Sequence, residues 1–315
     1  GLAAGAKYLD EGTLYVAKFN ADGSGEWLEL TFGKNGLDAT NTAYAFADQA
    51  DVLVNARLAA DKLGATKMDR PEWGTVNPLN SEVYMTLTNN SNRVATTATP
   101  TGNQLKPDAA NPRYYEDLKG TTTQRGNPNG HIIRWREDAA SATKFAWDIY
   151  LFGAQADAAA DVNLSALTDA NDFSSPDGLY FDKRGMLWVQ TDDGAYTDIT
   201  NCMMLAAVPG KVGDGGAANA AGGTSTIKGA NATADTLRRF LVGPKECEIT
   251  GIAMTPDSKT LFFNVQHPGE ESAPDWVAKT FGSNWPASQT DATAKKRPRS
   301  ATVVITRRDG GEIGV

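Results

Sequence analysis

Short runs of aromatic and β-branched residues, each closed off by Gly, Asn, Asp or Pro, dominate the chain. GTLYVAKF (12–19), EVYMTLT (82–88), GHIIRWRE (130–137), GLYFD (178–182) and GMLWVQT (185–191) have this form. So do TLRRFLV (236–242), TLFFNVQ (260–266) and ATVVITRR (301–308). Runs of five to eight residues bounded by turn formers predict strands. Apolar residues recur at helical spacing only over about 40–63, TNTAYAFADQADVLVNARLAADKLG, which predicts a short helical insertion opened by Thr and Asn and closed by Gly64. The stretch 209–235 is small, polar and rich in Gly, and reads as a long flexible surface loop. The fold class expected is all-β.

Three segments share one plan: a polar or acidic residue, a strand, a tight turn, then a second strand. They are DRPEWGTVNPLNSEVYMTLTNN (69–90), SSPDGLYFDKRGMLWVQTDD (174–193) and CEITGIAMTPDSKTLFFNVQHP (247–268). Their second strands end in the polar clusters TNN, TDD and NVQHP. Repeated strand–turn–strand units are the mark of β-propeller blades. Counted back from the turn residues Asn77, Asp182 and Thr255, the register places Glu72, Asp177 and Thr250 at one position. Arg70, Ser175 and Glu248 lie two residues earlier. Equivalent positions of successive blades converge on a propeller axis, so Arg70, Glu72, Asp177 and Glu248 are expected to meet at its mouth.

Several carboxylates confined with one arginine resist ionisation unless a cation joins them. A multivalent metal would satisfy the acids and hold an anionic substrate; Arg70 could grip two phosphate oxygens through its planar fork. The plainer alternative is that the acids cap turns.

Composition narrows the partners. Net charge is −8, with 38 acidic and 30 basic residues, so no nucleic acid is expected as a ligand. No apolar run reaches the length of a membrane span. The only dense basic stretch, KKRPRS (295–300), reads as a solvated turn before a strand. Two cysteines, Cys202 and Cys247, are too few for a zinc finger or an iron–sulfur cluster, and could form one disulfide in an exported protein. With only His131 and His267 as histidines, both read as structural, metal binding would rest on carboxylates and select hard cations. NADGSGE (20–26) departs from EF-hand spacing and reads as a hairpin turn. Ser174 and Ser175 lack a nucleophile-elbow context.

The segments MDRPEW, VYMTLTNN, GHIIRW, SPDGLYFDKRGMLWVQTD, RRFLVGPKECEITGIAMTPD, LFFNVQHPGE and RPRSATVVI resemble, in the same order, those of the PhoX family of alkaline phosphatases. The resemblance implies an exported, periplasmic or extracellular six-bladed propeller that hydrolyses phosphate monoesters at a central site with Ca2+ and Fe3+. By motif, Glu72 and Asp177 would be metal ligands, with Glu248 added from the repeat, and Arg70 would contact the substrate phosphate. Arg70, Glu72 and Asp177 are thus the expected catalytic residues.

Family members are roughly twice this length, and their iron-ligating cysteine lies in the N-terminal half. Neither Cys202 nor Cys247 occupies that context. The chain is therefore expected to be a single, incomplete propeller domain, 1–315, supplying about three to four blades. A second chain or a missing N-terminal half would close the ring. The alternatives are a non-catalytic, calcium-stabilised propeller serving as a binding or surface-assembly module, and a propeller hydrolase of another kind, such as a lactonase.

Overall fold

The computed structural model describes residues 11–139, 142–192 and 199–314. The chain divides into two compact units, residues 1–67 with 137–146, and residues 68–136 with 147–315.

In the first unit, β1 (Tyr15–Phe19) and β2 (Ser24–Glu29) form an antiparallel hairpin. The NADGSGE segment makes its turn, with the Asp22 carboxylate accepting the Ser24 N–H at 2.9 Å. Ser24–Glu26 pair with residues 144–146, where Phe145 packs on Phe19 and Trp27. The helical insertion is shorter than its periodicity predicts: α1 spans Gln49–Val54 and α2 Ala56–Leu63. Asp48 caps α1 by accepting the Asp51 N–H at 2.8 Å. Residues 40–47 stay non-helical because Asp38 and Asn41 take the N–H groups of Thr40 and Ala43 for local turns. Leu30, Leu37, Phe46, Val52 and Ala59 form the buried core.

The second unit carries the repeats, and each is a β-hairpin. In the first sheet β3 (Pro71–Val76), β4 (Val83–Leu87) and β7 (His131–Glu137) lie in order, and β7 is followed by β8 (Lys144–Phe152). A separate hairpin, β5 (Tyr115–Lys119) with β6 (Thr122–Gly126), falls between β4 and β7 in the chain. The second sheet runs β9 (Pro176–Phe181), β10 (Leu187–Thr191), β11 (Met203–Ala207) and, later in the chain, β14 (Leu237–Val242). The third runs β15 (Glu248–Met254), β16 (Thr260–Gln266) and β17 (Ala301–Thr306). All three are meanders of antiparallel pairs, apart from one parallel contact in the first, between Lys228 and Ile149 of β8. Their first strands lie side by side, with β9 between β3 and β15.

The cores sit between these sheets. Tyr84, Ile132, Tyr150, Leu179, Phe181 and Val189 fill one. Trp188, Met204, Ile249, Leu261, Phe263 and Val265 fill the other, together with Cys202 and Cys247.

The 209–235 segment is not a featureless loop. It contains a hairpin of β12 (Gly216–Ala220) and β13 (Thr224–Lys228). Composition hid this because the order comes from buried partners elsewhere. Arg134, wholly buried on β7, pairs with Asp148 at 2.6 Å and with Asp214 at 2.7 Å. Glu82 and Asp148 accept the Val212 and Gly213 N–H groups at 2.7 and 2.8 Å. Thr226, also buried, donates to the Ala109 carbonyl at 2.6 Å.

Candidate metal centre

The three hairpins keep one register. Pro71 pairs with Leu87, Pro176 with Thr191 and Ile249 with Val265. Each first residue stands six places before Asn77, Asp182 or Thr255, whose N–H groups close the turns onto Glu82, Met186 and Thr260. A one-residue bulge interrupts every ladder between turn and strand start. Such bulges re-aim side chains at the end of a strand.

Just before β3 and β9 the backbone turns through the left-handed region, with φ of 51° at Arg70 and 46° at Ser175. In the third hairpin this turn comes at Glu246, φ 54°, so the ladder runs one pair longer, to Glu248 and Gln266. Glu248 thus lies on the sheet where Arg70 and Ser175 lie beyond theirs.

Left-handed backbone at a residue other than glycine needs support from its surroundings. For Arg70 the support is Asp69, which is fully buried. The Asp69 carboxylate accepts Arg93 Nε at 2.7 Å, Asn90 Nδ2 at 2.8 Å and Asn127 Nδ2 at 3.1 Å. Its N–H donates to Asn111 Oδ1 at 2.9 Å. His131 completes this buried network, Nδ1 lying 3.1 Å from Asn127 Nδ2 and Nε2 2.8 Å from the Ala110 carbonyl. A proton on Nε2 satisfies both contacts. Burial holds His131 at about 4, neutral at any ordinary pH, which gives it a structural role.

Arg70 itself is exposed. It donates through Nη1 to Asn89 Oδ1 at 2.7 Å, and Nη2 lies 3.9 Å from Glu72. Asp177 is held by its backbone, whose carbonyl accepts the buried Thr86 hydroxyl at 2.7 Å. The same Thr86 oxygen takes the Trp73 N–H at 3.0 Å, so one hydroxyl joins the bulge of β3 to the start of β9. Gly178 follows Asp177, and a Cβ there would meet the Gln190 carboxamide at 2.3 Å. That contact accounts for the glycine of the PDG motif.

Of the four residues expected to meet, Arg70 and Glu72 are neighbours, and Asp177 feels the charges of Glu72, Glu248 and Arg70. The Asp177 carboxyl is pushed up to about 7, first by burial and then by Glu72, Glu248 and Asp192, against an opposing pull from Arg70. Glu248 is also raised, by burial and then by Asp192. Carboxylates crowded beyond what one arginine can neutralise form an acidic trap for a cation.

Two further members were not foreseen. Asp192, Glu248 and His267 each present a ligand atom within 4.8 Å of the others. Asp192 follows β10 and donates its N–H to the Ser175 carbonyl at 3.1 Å, while His267 follows β16. The imidazole has Nε2 3.4 Å from Glu248 and Nδ1 2.9 Å from Glu270. His267 was read from sequence as structural; here it joins the acids. The TDD and NVQHP clusters were the available signal, since both residues stand where a second strand leaves its sheet. The remainder of the TDD cluster, Asp193, lies outside the described residues.

Two carboxylates and one imidazole, those of Asp192, Glu248 and His267, could share one cation, with Glu72 and Asp177 adding negative charge nearby. Gln190, on the strand paired with β9, is wholly buried. Neither carboxamide atom of Gln190 has a hydrogen-bond partner among the described residues. An unpartnered buried amide is costly unless a bound ion or water satisfies it.

No curated protein matches the chain. Among solved structures, Pseudomonas fluorescens PhoX in complex with vanadate, a transition state analogue, is 37% identical, with a TM-score of 0.70. The match covers 99% of this chain and 47% of that one, so the present chain spans about half the length of its structural relative. The family model for alkaline phosphatase PhoX matches residues 3–269. On this evidence the chain belongs to the PhoX alkaline phosphatase family.

Proposed function

We propose that these residues form part of a metal centre that hydrolyses phosphate monoesters, and that the three meanders are blades of a propeller. Side-by-side first strands and a shared register support the blades; the convergence of Asp192, Glu248 and His267, with the charges of Glu72 and Asp177 close by, supports the centre. That convergence is the observation that carries the reading. The binding of vanadate by the relative adds weight, because vanadate imitates a phosphoryl group in transfer.

In this reading Asp192, Glu248 and His267 would hold a metal, Glu72 and Asp177 would serve the same or a neighbouring ion, and calcium suits so oxygen-rich a donor set. Iron would need ligands from outside this chain, from the rest of a longer polypeptide or from a second one. When bound, the metal supplies Lewis-acid stabilisation of charge on the transferring phosphoryl group. Arg70 orients two phosphate oxygens through its fork, pre-set by Asn89 and by the Asp69 network below it. The Glu270 carboxylate, 2.9 Å from Nδ1, places negative charge on the far side of the His267 ring. The protein would act in the periplasm or outside the cell, in phosphate acquisition. No described helix is long and apolar enough to cross a membrane.

The test is p-nitrophenyl phosphate hydrolysis by the full protein before chelation, after it, and after metal is restored, with and without vanadate. Hydrolysis that follows the metal and is blocked by vanadate supports the proposal. Cation binding without any hydrolysis would replace it with the non-catalytic binding module.

A further inference from the structure

A cavity of about 580 Å³ opens beside the metal centre, with His267 in its wall. Glu270 lies next to the imidazole, and the far side is built from Trp276, Phe281, Arg297 and Arg299. The two arginines belong to the KKRPRS run, an exposed segment that leads into β17. We infer that this cavity receives the alcohol part of the substrate, and that it selects phosphate monoesters whose alcohol carries a planar aromatic ring. The inference rests on the phosphatase reading and adds a substrate class to it.

Trp276 is 58% exposed, an unusual state for the largest apolar side chain. Phe281 holds it edge-on, with ring centroids 5.5 Å apart, and the Arg297 guanidinium lies 5.3 Å from the indole centroid. An indole braced by a second ring and bordered by a guanidinium is the kind of platform on which a planar ring stacks. In a chain of net charge −8, neither Arg297 nor Arg299 pairs with a carboxylate among the described residues. Both can donate to ring carbonyls or to further phosphates of the ligand. The volume suits a nucleoside-sized group, and the shared His267 puts that group next to the reacting phosphate.

The test uses the full, metal-loaded protein and three esters: adenosine 5′-monophosphate, phenyl phosphate and glycerol 2-phosphate. Trp276→Ala should lower kcat/KM for the two ring-bearing esters, relative to the ringless one, about tenfold, the loss expected when one aromatic platform is removed. Arg297→Gln should lower the ratio for the nucleotide more than for phenyl phosphate. Equal losses for all three esters, or no change in the ratios, would overturn the inference. Equal losses with a lower melting temperature would instead mark Trp276 as packing against the rest of the protein. Calorimetry with adenosine 5′-monophosphate and glycerol 2-phosphate separates this inference from the reading beneath it. Hydrolysis of no ester refutes the phosphatase, whereas failure of Trp276→Ala to weaken nucleotide binding selectively refutes the pocket.

Discussion

Asp177→Asn should stabilise the metal-free protein and destabilise the metal-loaded one, a reversal of sign that a capping role would not produce. Burial and its acidic neighbours move the Asp177 carboxyl from 3.8 to about 7. A raised carboxyl pKa means the folded state binds a proton that the unfolded chain releases. Without metal, the stability contributed by Asp177 should therefore be fully present below pH 4 and be lost as pH climbs to about 7. Each pH unit between the two values is worth about 1.4 kcal/mol. Solvent reaches part of the side chain and screens it, which reduces the total to about 2 kcal/mol. Glu248, raised in the same direction, adds to the slope. Asparagine keeps the shape and removes the charge, and the Thr86 bond to the Asp177 carbonyl is unaffected.

Urea unfolding of chelated protein at pH 4 and pH 8 measures this. The variant should be about 2 kcal/mol more stable than wild type at pH 8 and nearly equal to it at pH 4. Restoring calcium should raise wild-type stability and leave the variant behind. If the chelated variant is the less stable at pH 8, the carboxylate is already satisfied within the chain and the metal argument fails.

Three other substitutions probe the parts around the centre. Arg70→Lys keeps the charge but loses the fork; kcat/KM for p-nitrophenyl phosphate should fall roughly 10- to 100-fold, the span of a charge-assisted hydrogen bond, with melting unchanged because the side chain is exposed. Arg93→Met strips Asp69 of its buried cation and should cost about 3–5 kcal/mol in urea unfolding. Gly130→Ala would set a Cβ 2.0 Å from the Thr88 carbonyl at φ +63°, and should cost about 1–3 kcal/mol or more.

The hairpins were legible because their strands carry aromatic and β-branched runs and their turns keep a fixed count. That count places Arg70, Glu72, Asp177 and Glu248 near the starts of the three first strands. It could not reach Asp192 and His267, which lie past the second strands, where chain direction rather than ladder register decides what meets. Lys144–Phe152 and the 216–228 hairpin escaped for one reason. Asp148 interrupts the apolar run with a charge, and the Gly-rich 209–235 segment has the composition of a surface loop, while the order comes from Arg134 pairing with Asp148 and Asp214. The helix start was misjudged because Asp38 and Asn41 bond their own neighbours, a choice that apolar spacing does not record. The division into two units left no mark in composition.

The most direct measurement is elemental analysis of the full protein beside a Glu72→Gln, Asp177→Asn variant, each purified without chelator. Calcium and iron in the wild type, with at least one metal lost and phosphatase activity abolished in a variant that still folds, is the result expected. Equal metal content in both proteins would contradict a centre built on these carboxylates.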